Sequence, residues 1–439
     1  IHSRIAEWRR CNICKGGNIK MRRLVAVGFF LAILSSVTIF AQSGELVSAV
    51  EVGRMNAEQF NKRTSDVYGA DAPVPLNGRL TLYKVTYRSK DARGRNTILS
   101  GLIVIPSNGA QNGLVLFNHG TIVYRQAAPS RFSGQSDGSE VETATLAFGS
   151  GGYVIAMPDY IGLGDNLEAH PYPANVVNAL AGIDLVKAAR ALARRHKVTL
   201  GRRIFVTGYS EGGGVGMAQA REIEKMNDKQ VQLTAAAPAA GPYDLSGSTR
   251  EFMLEQPTDQ TGFVVRTYLM GYLVYYLHKE KGLKITDYFK NSMAFTINNS
   301  YGGKTKDEDV VKRIGLTAVL MRSKNSIFNV VTPRFRRVIE TFDVRDPAAK
   351  LLKDNDCYDW QPKAPMMLIY LDGDRVVSPA NSEKAFRTMR GRGAGRNTLR
   401  RSIIQDTQLN HLTAVPEAML RARNFFDRGF AGVRGLDEN

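Results

Sequence analysis

Cysteine is scarce in this chain, with three in 439 residues. Two of them, Cys11 and Cys14, stand together near the start, and only Cys357 lies further on. The body of the chain therefore cannot close an internal disulfide. The Cys11-Asn12-Ile13-Cys14 spacing matches half of a zinc knuckle or a redox pair, but no second ligand pair lies nearby. An H-E-x-x-H metal motif and a phosphate-binding P-loop are also lacking, as are internal repeats and low-complexity linkers. Uncharged apolar runs are short, with one exception at Leu24–Phe40.

That exception defines the start of the chain. Met21, Arg22 and Arg23 form a basic segment ahead of it, and Ala41-Gln42-Ser43 supplies small residues at −3 and −1 of a cut after Ser43. The pattern is that of a secretory signal peptide over residues 21–43, which places the mature protein outside the cytoplasm, secreted or periplasmic. An uncleaved anchor is the alternative, because the run is about long enough to span a bilayer. Residues 1–20 then read as sequence translated ahead of the true start, and the C-x-x-C pair within them as an accident of that frame. No lipobox cysteine stands directly after the apolar run to carry a lipid.

The composition, 43% hydrophobic and 23% charged, is that of a globular protein. The formal charge of +18 shrinks to +12 once residues 1–41, with seven Lys/Arg and one Glu, are set aside. A basic balance favours contact with anionic surfaces, including a transient one with lipid, and is by itself no argument for nucleic acid. The densest basic run, "FRTMRGRGAGRNTLRR" at 386–401, carries no aromatic after Phe386 and reads as a solvated helix end and loop.

Strand-like and helix-like segments alternate along the rest. Residues 80–89 and 97–106 read as an antiparallel opening pair. Short apolar runs follow at 113–120, 152–160, 203–210, 231–241, 364–374 and 399–405, each ending in a turn. Runs without polar alternation suit strands buried on both faces of a parallel sheet. Helical spacing appears at 174–195, 212–225, 379–389 and 415–426, the last with Pro416 in its first turn. The fold class expected is α/β, a mostly parallel, doubly wound sheet. A crossover needs only about a dozen residues, yet roughly ten times as many separate Gly241 from Ala364. This segment, rich in aromatics and helix formers, reads as a helical cap or lid inserted over 243–363. The sheet domain is then split into 44–242 and 364–439, with a second independent domain as the alternative.

The stretch "VTGYSEGGGVG" at 206–216 places Ser210 between a strand and a helix, with Gly208 and Gly212 letting the backbone turn sharply. A serine hydroxyl attacks only with a base in reach, an acid to orient that base, and donors for the oxyanion that develops. Open α/β sheets gather such groups at the carboxyl ends of their strands. The acid is sought after the 364–371 strand, where Asp374 is preferred over Asp372. Asp244 is a third choice that reads better as a helix N-cap. Of six histidines, only His411 follows the last strand and precedes a helix, which makes it the candidate base. His119 is expected to shape its loop, His196 to be solvated, and His278 to lie in the cap. Oxyanion donors are expected from the N–H of Glu211 and, past the small Gly120, from the N–H of Thr121.

The chain here resembles the α/β-hydrolase superfamily, and within it the secretory lipase family and related bacterial secreted esterases. The features that carry this are "NHGT" at 118–121, "PDYIGLG" at 158–164, "HPY" at 170–172, "GYSEGG" at 208–213, "YDW" and a following proline at 358–362, "GDRVVSP" at 373–379 and "NHLTA" at 410–414. They span roughly residues 80–430, and the order Ser210, Asp374, His411 is that of the superfamily's triad. Ser378 stands before Pro379 where many relatives have Val-Pro, which keeps Asp372 in play. The resemblance implies an α/β-hydrolase fold with a lid and acyl-serine chemistry on carboxylic esters, with no metal or cofactor. The expected function is a lipase or esterase acting on a small ester or a lipid. The apolar "YLMGYLVYYL" at 268–277 lines an acyl tunnel or forms the buried face of a cap helix. One rival is a serine peptidase on the same fold, which needs a carboxylate for a substrate amine, with Glu251, Glu255 and Asp259 as candidates. The other is a non-catalytic binding protein on a hydrolase scaffold.

Overall fold

The computed structural model describes every residue except 1–41, 227, 256, 258, 434 and 437–439. The C-x-x-C pair and most of the expected signal peptide thus lie outside the described residues. The first half of the chain runs β1 (Leu46–Asn56), α1 (Ala57–Tyr68), β2 (Arg79–Lys90), β3 (Asn96–Pro106), β4 (Gly113–Asn118), α2 (Glu140–Phe148), β5 (Tyr153–Pro158), α3 (Asn175–Arg195), β6 (Ile204–Tyr209), α4 (Glu211–Met226) and β7 (Leu233–Ala239). Six helices follow: α5 (Arg250–Leu254), α6 (Gln260–Lys281), α7 (Asn291–Ser300), α8 (Asp307–Leu320), α9 (Pro333–Thr341) and α10 (Pro347–Asp354). The chain ends with β8 (Met366–Leu371), α11 (Ala380–Gly391), β9 (Leu399–Ile404) and α12 (Val415–Arg428).

All nine strands join one sheet in the order β1-β2-β3-β5-β4-β6-β7-β8-β9. The pairings β1–β2, β2–β3 and β3–β5 are antiparallel. From β5 onward every pairing is parallel. The central strands β4, β5, β6 and β8 are buried at every residue, as their unbroken apolar runs require. Their side chains still divide by the two-residue period of a strand. Leu114 and Leu116 of β4 pack into one core with α3, α4 and α11, while Val115 and Phe117 pack into the other with α1, α2 and α12. Helices on both faces make the sheet doubly wound, as expected from the sequence.

One element pair departs from the sequence reading. The sheet opens with β1, not with the 80–89 strand. Only Leu46 and Met55 of β1 are buried, because an edge strand meets the core on little of its surface. The helix α1 that follows is polar and buries Phe60, Thr64 and Tyr68, one per turn.

Between β7 and β8 the described residues form no strand of the sheet. Helices α6 to α10 bury a separate apolar core that includes Phe263, Tyr288, Phe289, Ile297 and Ile314. Local signals set their starts. Asp259 caps α6, Thr332 caps α9 ahead of Pro333, and Asp346 caps α10 ahead of Pro347. Among the described residues no helix is long and apolar enough to cross a membrane.

Candidate active site

Parallel strands deliver their carboxyl ends to one edge of the sheet, and the predicted residues meet there. Ser210 follows β6 directly, with φ of +58°, in the left-handed region that non-glycine residues rarely adopt. This strained turn holds the side chain away from both the strand and α4. Tight contacts enforce it, because a Cβ on Gly208 would meet the Gly212 carbonyl oxygen at 2.3 Å.

His411 lies after β9 and Asp374 after β8. The Ser210 Oγ is 2.8 Å from His411 Nε2, and His411 Nδ1 is 2.6 Å from Asp374 Oδ2. A carboxylate can only accept, so Nδ1–H donates to Asp374 and Nε2 is left to accept the serine proton. The second oxygen, Asp374 Oδ1, accepts the N–H groups of Val376 and Val377 at 2.8 and 3.0 Å. Asp374 and His411 are both 5% exposed. Asp372 is exposed and makes no contact with the histidine, so of the two acids only Asp374 is brought to the site. Asp244 caps the turn after β7 through the N–H groups of Gly247 and Ser248, as its sequence context implied.

Glu211 is the first residue of α4, so its N–H is among those that the helix itself cannot satisfy. Thr121 lines the same pocket as Ser210 and Glu211. The loop that carries Thr121 is held by three tethers. The Tyr160 hydroxyl donates to the His119 carbonyl at 3.1 Å, and His119 Nδ1 donates to the Gly120 carbonyl at 2.7 Å. The Gly120 N–H donates to Glu140 Oε2 at 2.8 Å. Burial pushes the His119 imidazole below its ordinary value, which suits a neutral ring that shapes the loop.

Two features escaped the sequence reading. His170 Nδ1 donates to the Ile161 carbonyl at 2.8 Å, while Nε2 faces Glu211 Oε1 at 2.9 Å. The "HPY" motif marked His170 but not its partner. The second feature is Glu140, which burial pushes up to about 7, against the pull of the Gly120 N–H and the charge of His411. The only signal ahead of it was Ser139 with Glu142 three residues on, the mark of a helix start.

Ser210 opens on a pocket walled mainly by apolar side chains. Helix α6 contributes Leu269 and Leu273, and helix α9 contributes Phe335 and Ile339. The "YLMGYLVYYL" stretch divides between pocket and core. Leu269, Met270 and Leu273 face the pocket, while Val274, Tyr276 and Leu277 are buried in the helical core. Glu251, Glu255 and Asp259 are exposed, and Asp259 is occupied as a cap. Cys357 is buried, with its sulfur 3.6 Å from the Gly214 carbonyl oxygen.

No protein-family model matches the chain, and no curated protein does. Solved structures do. A Legionella pneumophila protein, by name a hydrolase, is 26% identical with a TM-score of 0.75, over 88% of this chain and 98% of that one. The rice cell wall degrading esterase LipA of Xanthomonas oryzae is 22% identical with a TM-score of 0.70, over 88% and 97%. Lipase A of Candida antarctica is 13% identical with a TM-score of 0.59, over 84% and 78%.

Proposed function

Starting from a chain with the α/β-hydrolase fold, we propose a serine hydrolase that cleaves carboxylic esters through an acyl-serine intermediate. The observation that carries this is the hydrogen-bonded line from Ser210 through His411 to Asp374 at the mouth of an apolar pocket. Ser210 Oγ attacks the ester carbonyl while His411 Nε2 takes its proton. Asp374 holds the ring orientation and stabilises the imidazolium. The tetrahedral oxyanion is received by the N–H groups of Glu211 and Thr121. Collapse expels the alcohol, which takes the proton from His411. Water, activated by the same histidine, then attacks the acyl-enzyme and returns the serine, releasing the acid.

The pocket favours an acyl group that is largely hydrocarbon, since burying apolar surface is worth about 25 cal/mol per Å² and few polar groups compete for it. The helices of 243–363 act as the cap that supplies most of this wall. A peptidase is disfavoured because the cap carboxylates suited to a substrate amine face solvent. Export through the 21–43 signal peptide and a transient contact with lipid complete the reading, which calls for no metal or cofactor.

The test is hydrolysis of p-nitrophenyl esters from acetate to palmitate by the protein and by Ser210→Ala, with fluorophosphonate labelling of both. Loss of turnover and of labelling in the variant is expected, with a preference for the longer chains that the pocket admits. Equal turnover by the variant overturns the reading.

A further inference from the structure

Glu140 is not part of the hydrogen-bonded line, yet it touches the site from two sides. Its Oε2 accepts the Gly120 N–H at 2.8 Å, one residue before the proposed oxyanion donor Thr121. Its Oε1 fills the space a side chain at Gly120 would need, since a Cβ there would lie 2.7 Å from that oxygen. It is the first residue of α2, fixed in place by the Ser139 cap, and it interacts electrostatically with His411.

We propose that Glu140 is a positioning residue of the site. Its carboxylate fixes the Gly120–Thr121 loop through the Gly120 N–H, and its charge favours the imidazolium that His411 becomes when it takes the serine proton. This rests on the acyl-serine reading above.

The surroundings leave Glu140 free to act in this way. Of the groups that face it, Glu211 on α4 is joined to His170, and Tyr160 and Tyr209 are neutral phenols pushed well up by burial. The cations of the helices packed on α2 are taken, Arg63 of α1 by Glu142 and Arg423 of α12 by Asp427. His411 is thus the group on which the charge of Glu140 can act once the ring takes the serine proton. Burial pushes the Glu140 carboxyl up to about 7, so its charge changes within the range where an esterase works.

The experiment compares pH profiles of kcat and KM for the protein, Glu140→Gln and Glu140→Ala, with Ser210→Ala alongside. The amide of Glu140→Gln keeps an acceptor for Gly120 but has no charge. Its kcat/KM is expected to fall about tenfold at about pH 8.5 and to approach the unmodified value at about pH 5.5, where Glu140 is protonated in any case. KM should hardly change. Glu140→Ala, which loses the acceptor as well, should lose kcat at every pH. A ratio that stays constant with pH means a merely structural role and overturns the proposal, as does a Glu140→Ala profile equal to that of the unmodified protein. If a variant does not fold, the unmodified protein decides. Its acid limb must need two ionisations, and a single one overturns the proposal. Activity that survives in Ser210→Ala is a different failure, that of the acyl-serine reading itself.

Discussion

A Cβ on Gly212 would stand 2.0 Å from the carbonyl oxygen of Asn118. The first turn of α4 and the end of β4 are thus in backbone contact, and this contact sets the distance between the two proposed oxyanion donors, Glu211 and Thr121. Gly212→Ala must push the two segments apart. The expected result is a folded protein with kcat lowered about 10²-fold or more, the scale of losing one oxyanion donor, or a protein that does not fold. Circular dichroism with ester turnover separates these. Unchanged turnover would mean that the 118–121 loop is not where the oxyanion is held.

Asp374 and Asp372 are two residues apart, and their surroundings differ. Asp374 accepts from His411 and from two backbone N–H groups, whereas Asp372 is exposed. Asp374→Asn can present its amide N–H to Nδ1 and so favour the wrong tautomer of His411. A loss in kcat of about 10⁴-fold is expected, while Asp372→Asn should stay within about twofold of the unmodified protein. Steady-state kinetics on one short-chain ester is enough, and the reverse order would assign the acid to Asp372.

The sequence was most legible where one physical demand acts on many adjacent residues. Burial on both faces writes an unbroken apolar run, so β4, β5, β6 and β8 could be read directly, and the turn chemistry after β6 pointed to Ser210. The edge strand β1 was not legible, since only Leu46 and Met55 are buried in it and it shares no such demand. The acid was narrowed to Asp374 and Asp372 but not decided, because one turn of backbone controls which of them faces His411. Glu140 and the His170–Glu211 pair were hidden for another reason. Their partners are distant in sequence and come together only when α2 and the 159–172 loop fold over the sheet end.

Cys357 offers a check that is independent of activity. It is fully buried against Gly214 and Tyr243, and burial pushes its thiol up to about 12. A thiol of this kind is inert, because the thiolate is the reactive form. Mass-spectrometric mapping with iodoacetamide at about pH 8 should find Cys357 unlabelled in the native protein and labelled at the rate of unfolding in denaturant. Rapid labelling of the native protein would place this part of α4 away from the 355–358 segment.

Glu140 should also reveal itself in stability, with a sign opposite to its effect on activity. Its carboxyl is raised from an ordinary 4.5 to about 7 by burial. A raised carboxyl helps the folded state fully below its unfolded value, and that help is lost as pH climbs from about 4.5 through about 7 and the group ionises in place. The rise from 4.5 to about 7, at about 1.4 kcal/mol for each tenfold change in acidity, sets an upper bound near 3.5 kcal/mol, and partial exposure reduces this to about 1–2. Glu140→Gln, which never ionises, should therefore be more stable than the unmodified protein by about 1–2 kcal/mol at about pH 8 and no more stable at about pH 4.5. Urea unfolding at the two pH values measures this. A variant that gains stability at about pH 8 while losing turnover there would show that the half-buried charge is kept at the expense of stability, as expected of a group that serves the reaction. Equal stability at both pH values would mean that Glu140 is solvated, and the account of its charge acting on His411 would fall with it.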